Sequence, residues 1–231
     1  TYWIRTGDSS GYASAVARSK ELIDAAAAAG VERIVHMSVL GASNDAPYPY
    51  FRAKAEVEEH GRNSGVPFAA VRPALIFGGS SALLSNLAWM LRRLPVMGVA
   101  GDGTYRVRPV HVEDVADICV DLADRDPAGI DGTVVDAVGP DRPTYDELIR
   151  HVRTAVGGRA RIVHLPVPVV VAGARVLGRI LEDEVLTRDE LVSTMAGIAD
   201  TDGPATGATS VIEWIHRRGD TLGRDWQPAA R

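Results

Sequence analysis

Tyr50 and Lys54 stand four residues apart in the run Tyr50-Phe51-Arg52-Ala53-Lys54. On a helix that spacing puts both side chains on one face, one turn apart. A lysine ammonium beside a phenol favours the phenolate and lowers the tyrosine pKa, and a helix N-terminus adds positive potential at the same place. A tyrosine tuned in this way can pass a proton to or from a substrate oxygen near neutral pH. Tyr48 is no rival, because its +4 position is Arg52, which is always protonated and bulkier. Of the 25 basic residues only Lys20 and Lys54 are lysines. With six tyrosines, chance would supply such a pair about 0.05 times. The competing reading is a surface helix whose Tyr and Lys are simply solvated. Ser38 ends the apolar run that precedes this segment. Ligands of open parallel sheets bind beyond the carboxyl ends of the strands, and the Ser38 oxygen suits a hydrogen bond to a carbonyl or alcohol. A serine that merely turns the strand into its loop is the alternative.

The elements that would position these groups follow from periodicity and punctuation. A helix is expected from Ser9 or Ser10 to Ala29, ended by Gly30. Val31 to Ser38 reads as a strand buried on both faces, Tyr50 to Ser64 as a helix and Phe68 to Val71 as a strand. Pro49 suits the first helical position and pushes Tyr48 out of helical geometry. This alternation argues a parallel sheet with crossover helices. Further on, helices are expected at Ser85 to Leu94, Val112 to Ala123 and Tyr145 to Val156, the last capped by Thr144. Strands are expected at Thr133 to Val138 and Arg161 to Leu165, and Gly98 to Gly103 reads as a glycine-rich loop. Three helical stretches close the chain, Val169 to Leu181, Arg188 to Ala199 and Val211 to Arg217. A soft boundary near Pro109 divides a nucleotide-type sheet, residues 1–108, from a smaller lobe, 109–231, interleaved with it.

Composition narrows the function classes. A chain of 231 residues, 46% hydrophobic, buries a sizeable core. A net charge of −5 argues against a nucleic-acid partner. The lone Cys119 excludes an internal disulfide and a cysteine-based zinc site. The most apolar run, Leu165 to Leu177, is too short to span a bilayer, so the expected compartment is cytoplasmic, with peripheral association with a membrane or a protein complex left open. Apolar packing of the small lobe is preferred over a membrane-facing role for the helices after Pro166. Trp89, Trp214 and Trp226 read as lobe packing.

The segments IVHMS, PYFRAK, VRPALIFG and RPVHVEDVA together resemble the short-chain dehydrogenase/reductase superfamily. The resemblance is to its extended and atypical NAD(P)-binding, epimerase/dehydratase-like members, and among them to the branch of the nucleotide-binding accessory subunit of respiratory complex I. It implies a Rossmann-type doubly wound parallel sheet, present in part, with a small, mainly helical C-terminal lobe. It implies NADP or NAD as cofactor and a small-molecule substrate. By this resemblance Ser38, Tyr50 and Lys54 form the catalytic triad, and Tyr50 and Lys54 also hold the cofactor. Pro73, Ala74, Leu75 and Ile76 are where the backbone meets the nicotinamide, and Thr1 and Tyr2 follow a strand flanking the cofactor. The activity implied is hydride transfer to or from a carbonyl or alcohol carbon, with sugar-nucleotide epimerisation or dehydration as a variant. Members of the complex I branch can instead hold a nucleotide without turnover, as a scaffold. The sequence departs from the family by containing no complete GxGxxG, the turn that cradles the pyrophosphate. The chain, which opens on Thr1, is therefore expected to lack the phosphate-binding half of the site and to depend on a segment upstream.

Overall fold

The computed structural model of the chain describes residues 9–79, 81–183 and 185–228. The chain divides into two compact units, each built from two stretches. It passes between them after Ala74, after Val112 and after Ala137. Thr1 and Tyr2 lie outside the described residues.

In the first unit, α1 (Ser9–Ala28) leads to β1 (Ile34–Met37), α2 (Pro49–Arg62) and β2 (Phe68–Pro73). A three-stranded parallel sheet orders β1, then β2, then β6 (Thr133–Ala137). The register is continuous, with Met37 opposite Val71 and Arg72 opposite Asp136. Phe68 to Val71 are fully buried, as expected for a central strand covered on both faces. β1 is half-buried along its length and pairs only with β2 among the described residues. The expectation of a strand buried on both faces is corrected accordingly: Ile34 to Met37 are each only half-buried, since no described strand covers the side away from β2.

Helix α2 is fixed by contacts on two sides. Val16 and Ile23 of α1 pack on Ala53 and Val57. On the sheet side Gly61 lets the helix approach the strand, since a Cβ there would lie 2.1 Å from the Phe68 ring. Arg33 caps the end of α4 (Val112–Asp124) by donating to the Ala123 carbonyl at 2.6 Å and to that of Arg125.

The second unit holds β3 (Ile76–Phe77), α3 (Ala82–Arg93), β4 (Val96–Ala100), β5 (Val110–His111), α6 (Tyr145–Ala155) and β7 (Arg161–Leu165). Helices α7 (Val167–Leu181), α8 (Arg188–Met195) and α9 (Val211–Arg218) complete it. A short α5 (Pro127–Ile130) belongs to the first unit. β3 pairs with β5, and β4 with β7, all parallel. The glycine-rich stretch expected as a loop is strand as far as Ala100. Gly98 pairs opposite Val163, where its missing side chain admits Leu165 and Val170. Phe77, Leu84, Leu91, Leu148, Ile149 and Ile215 form the centre of this unit's core. Trp214 packs on Phe77, and Trp89 on Trp226, as structural aromatics. Helix α6 starts with a full capping box: Thr144 Oγ1 accepts from Glu147 N, and Glu147 accepts from Thr144 N.

Candidate functional site

The carboxyl ends of β1 and β2 run side by side in the first unit. Ser38 N donates to the Val71 carbonyl at 2.7 Å and Leu40 N to that of Pro73 at 2.9 Å. Ala74 N donates to the Ala137 carbonyl at 3.1 Å. The loop after β1 is anchored by buried Leu40, Ala42 and Ala46 and delivers the chain to Tyr48, whose extended backbone (φ −104°, ψ 135°) precedes Pro49. Tyr50 thus enters the first turn of α2, half-buried between Tyr12 (ring centroids 6.3 Å apart) and Phe51 (5.3 Å).

Lys54 follows one turn later, and its ammonium donates to the Met37 carbonyl at 3.2 Å. That carbonyl belongs to the residue before Ser38, so the strand end and the helix face meet. Burial pulls the Lys54 pKa below the ordinary lysine value, while the Glu58 carboxylate opposes the shift. Ser38 is 4% exposed, and its Oγ has no hydrogen-bond partner within bonding geometry among the described residues. Two residues back, within β1, His36 stacks on Phe68 with centroids 5.8 Å apart. His36 Nε2 is likewise buried without a partner among the described residues. Burial, reinforced by the Lys54 charge, lowers its pKa to about 4, so the ring is neutral at physiological pH.

One more turn along α2, Glu58 is fully buried. Arg72 of β2 grips it with two hydrogen bonds, at 2.9 and 2.7 Å, and Arg62 adds a third at 2.9 Å. Burial by itself would raise the Glu58 pKa. The Arg72 hydrogen bonds, the nearby Ser38 hydroxyl and the charges of Arg72 and Arg62 outweigh it and hold the carboxyl below its ordinary value. This ion-pair group ties α2 to β2 and fixes the rotation of the helix that carries Tyr50 and Lys54. The sequence reading missed His36 and the Glu58–Arg72 pair. A signal for Glu58 existed, since it sits four residues after Lys54 among buried α2 positions.

The first unit thus holds Ser38, Tyr50, Lys54, Pro73 and Ala74. Leu75 and Ile76 belong to the second, where the Leu75 carbonyl accepts from Val110 N at 2.9 Å and the Ile76 carbonyl from Ser81 Oγ at 3.0 Å. Two buried polar atoms without partners and a desolvated ammonium suit a ligand rich in hydroxyl and amide groups, as the nicotinamide–ribose end of a dinucleotide is. The described residues hold no cluster of His, Cys, Asp and Glu fit for a metal ion. They also hold no helix long and apolar enough to cross a membrane.

Comparison with known proteins agrees with this chemistry. A mitochondrial NADH dehydrogenase (ubiquinone) 1 alpha subcomplex subunit 9 from Arabidopsis thaliana is 32% identical over 145 residues, 63% of this chain and 36% of that protein. A ceramide reductase from Caulobacter vibrioides is 30% identical over 154 residues, 66% of this chain and 47% of that protein. The chain spans about a third to a half of the length of these curated relatives. Among solved structures, an NADPH-dependent quinone oxidoreductase from Escherichia coli shares the fold with a TM-score of 0.71 at 20% identity, covering 93% of this chain and 81% of that one. The same oxidoreductase has also been solved in complex with NADPH. Residues 4–126, more than half of the chain, match the sequence profile of a family described as NAD(P)H-binding. Its cofactor is a nicotinamide dinucleotide, NAD or NADP, and the chain belongs to the NAD(P)H-binding family.

Proposed function

We propose that the protein is an NAD(P)-dependent oxidoreductase acting on a carbonyl or alcohol carbon, with Ser38, Tyr50 and Lys54 at the reacting end of the site. The observation that carries this reading is the Lys54 ammonium: desolvated, bonded at 3.2 Å to the carbonyl that precedes Ser38, and one turn after Tyr50. When bound, the nicotinamide supplies or takes up the hydride. Tyr50 Oη gives a proton to the substrate oxygen in reduction and receives one in oxidation. Lys54 favours the phenolate by its charge and offers its remaining N–H donors to a ribose hydroxyl. Ser38 Oγ has no partner in bonding geometry among the described residues and turns its one O–H from the nearby Glu58 carboxylate to the substrate oxygen, orienting it. Neutral His36 keeps a second positive charge out of this wall. Pro73 and Ala74 frame it at the end of β2, and the Pro73 carbonyl, which accepts from Leu40 N, keeps a lone pair for a ligand amide.

A second reading, a nucleotide-binding scaffold without turnover, draws on the similarity to the complex I subunit and on the hydrogen bond that Lys54 already spends on Met37. Turnover separates the two. Reduction of a carbonyl panel, followed by nicotinamide absorbance, is expected to fall about 10²–10⁴-fold in Tyr50→Phe, with nucleotide binding retained. Wild-type protein that binds nucleotide and turns over nothing, or a Tyr50→Phe variant as fast as wild type, favours the scaffold.

A further inference from the structure

Helix α7 is apolar on two faces but packed on one. Val171 is buried against Ala100 and Leu191, with Val167, Val170, Leu186 and Met195 around it. At 100° per residue the opposite side of the wheel carries Val169, Val176 and Ile180, in register at i, i+7 and i+11. These three are 50%, 56% and 73% exposed, and Ile180 is the most exposed large hydrophobic residue among those described. Packing in the lobe was the expectation for this helix; it holds for the Val171 face and fails for this one. The water-facing side of a surface helix ordinarily carries polar residues. Here Arg175 and Arg179, one turn apart, run along one edge of the apolar stripe, and no Asp or Glu occurs between Val167 and Leu181.

We propose that this face of α7 docks on the surface of an anionic membrane, lying in the plane of the headgroups with Val169, Val176 and Ile180 immersed below them. The charge of the rim selects this occupant. A second copy of the chain would present the same face, and no acid stands within α7 to receive Arg175 or Arg179; of the acids that follow the helix, Glu182 ends it as its C-cap and Asp183 is taken up by Trp226 Nε1 at 2.9 Å. A layer of lipid phosphates gives each guanidinium a bidentate partner, while the aliphatic stems stay in contact with the apolar stripe. Fifteen residues of helix extend about 22 Å, enough to lie along an interface and too short to span one. The inference is independent of hydride transfer.

The test is co-sedimentation of the full protein with phosphatidylcholine vesicles and with vesicles that also contain phosphatidylglycerol. Binding is expected to be about thirtyfold tighter to the anionic vesicles, the increment two surface arginines supply, and to weaken as salt is added. The double variant Arg175→Gln/Arg179→Gln should lose that preference, and Val176→Asp/Ile180→Asp should lose binding altogether. Both pairs of side chains face water, so circular dichroism and melting temperature should stay at the wild-type values. Absence of binding to the anionic vesicles, or aspartate variants that bind like wild type, overturns the proposal. So does a concentration-dependent dimer, seen by light scattering without lipid, that the aspartate variants split, because that assigns the face to a second copy.

Discussion

In the unit that carries Tyr50 and Lys54, two buried polar atoms, His36 Nε2 in β1 and Ser38 Oγ just after it, lack a hydrogen-bond partner among the described residues. In the other unit the deepest cation among the described residues, Arg108, is 5% exposed and bonded to three backbone carbonyls. It donates to the carbonyls of Gly139 at 2.8 Å and Thr201 at 2.9 Å, and also to that of Gly203. Nearby, Arg142 forks onto Asp200 at 2.8 and 2.6 Å and reaches Asp202 at 2.9 Å. The second unit spends its buried charge on holding a long loop in place. The first unit keeps polar capacity in reserve at a strand end, where a ligand can use it. Tyr105 Oη in the second unit is also unpartnered among the described residues, but it lies in a loop, in a tyrosine stack with Tyr145. Unspent polarity marks a site when it is clustered and placed at a sheet's carboxyl edge; singly, it is a packing cost.

The contrast predicts where substitutions act through stability and where they act through binding. The largest loss of stability is expected in the first unit, at the ion-pair group that ties α2 to β2. Glu58→Leu strands the Arg72 guanidinium, and a global loss of about 4 kcal/mol should appear in urea denaturation. In the second unit Arg108→Met leaves three backbone carbonyls unpaired, for a loss of about 3 kcal/mol, and new proteolytic cleavage within residues 200–209 should accompany it. Smaller again is the pH dependence that His36 imposes. Its folded pKa, about 4, lies below the ordinary 6.5, so on acidification the unfolded chain takes up the proton first. The stability contributed by the neutral ring is full above pH 6.5 and is lost as pH falls toward 4. The loss is on the order of 2 kcal/mol, and denaturation midpoints of His36→Leu should show a flatter slope across that window. If the slope is unchanged, His36 is not the desolvated group described here.

Much of this organisation is legible in local sequence. Pro49 after Tyr48 sets the start of α2, and the apolar run ending at Ser38 predicts where its strand stops. Thr144 with Glu147 three residues on marks the α6 cap, which the structure closes on both sides. What failed depends on residues far apart in the chain. Gly98 to Gly103 reads as a glycine-rich loop, and only pairing with Arg161–Leu165 makes its first three residues the end of a strand. Arg72 reads as one polar residue among apolar neighbours until α2 brings Glu58 against it. The pKa of His36 depends on the Phe68 ring and on Lys54, neither near it in sequence. The exposure of Val176 and Ile180 is equally invisible, since an apolar helix reads the same whichever face is covered.

The central claim is that Lys54, bonded at the end of β1, is the anchor of a nicotinamide nucleotide site. Titration of NADH and NADPH into the full protein, followed by nicotinamide fluorescence, tests it most directly. The account predicts saturable enhancement with at least one nucleotide, and about tenfold weaker binding in Lys54→Met, the loss of one charge-assisted hydrogen bond, with the melting temperature preserved. Binding in Lys54→Met as tight as in wild type, or no binding of either nucleotide to the wild-type protein, would contradict it.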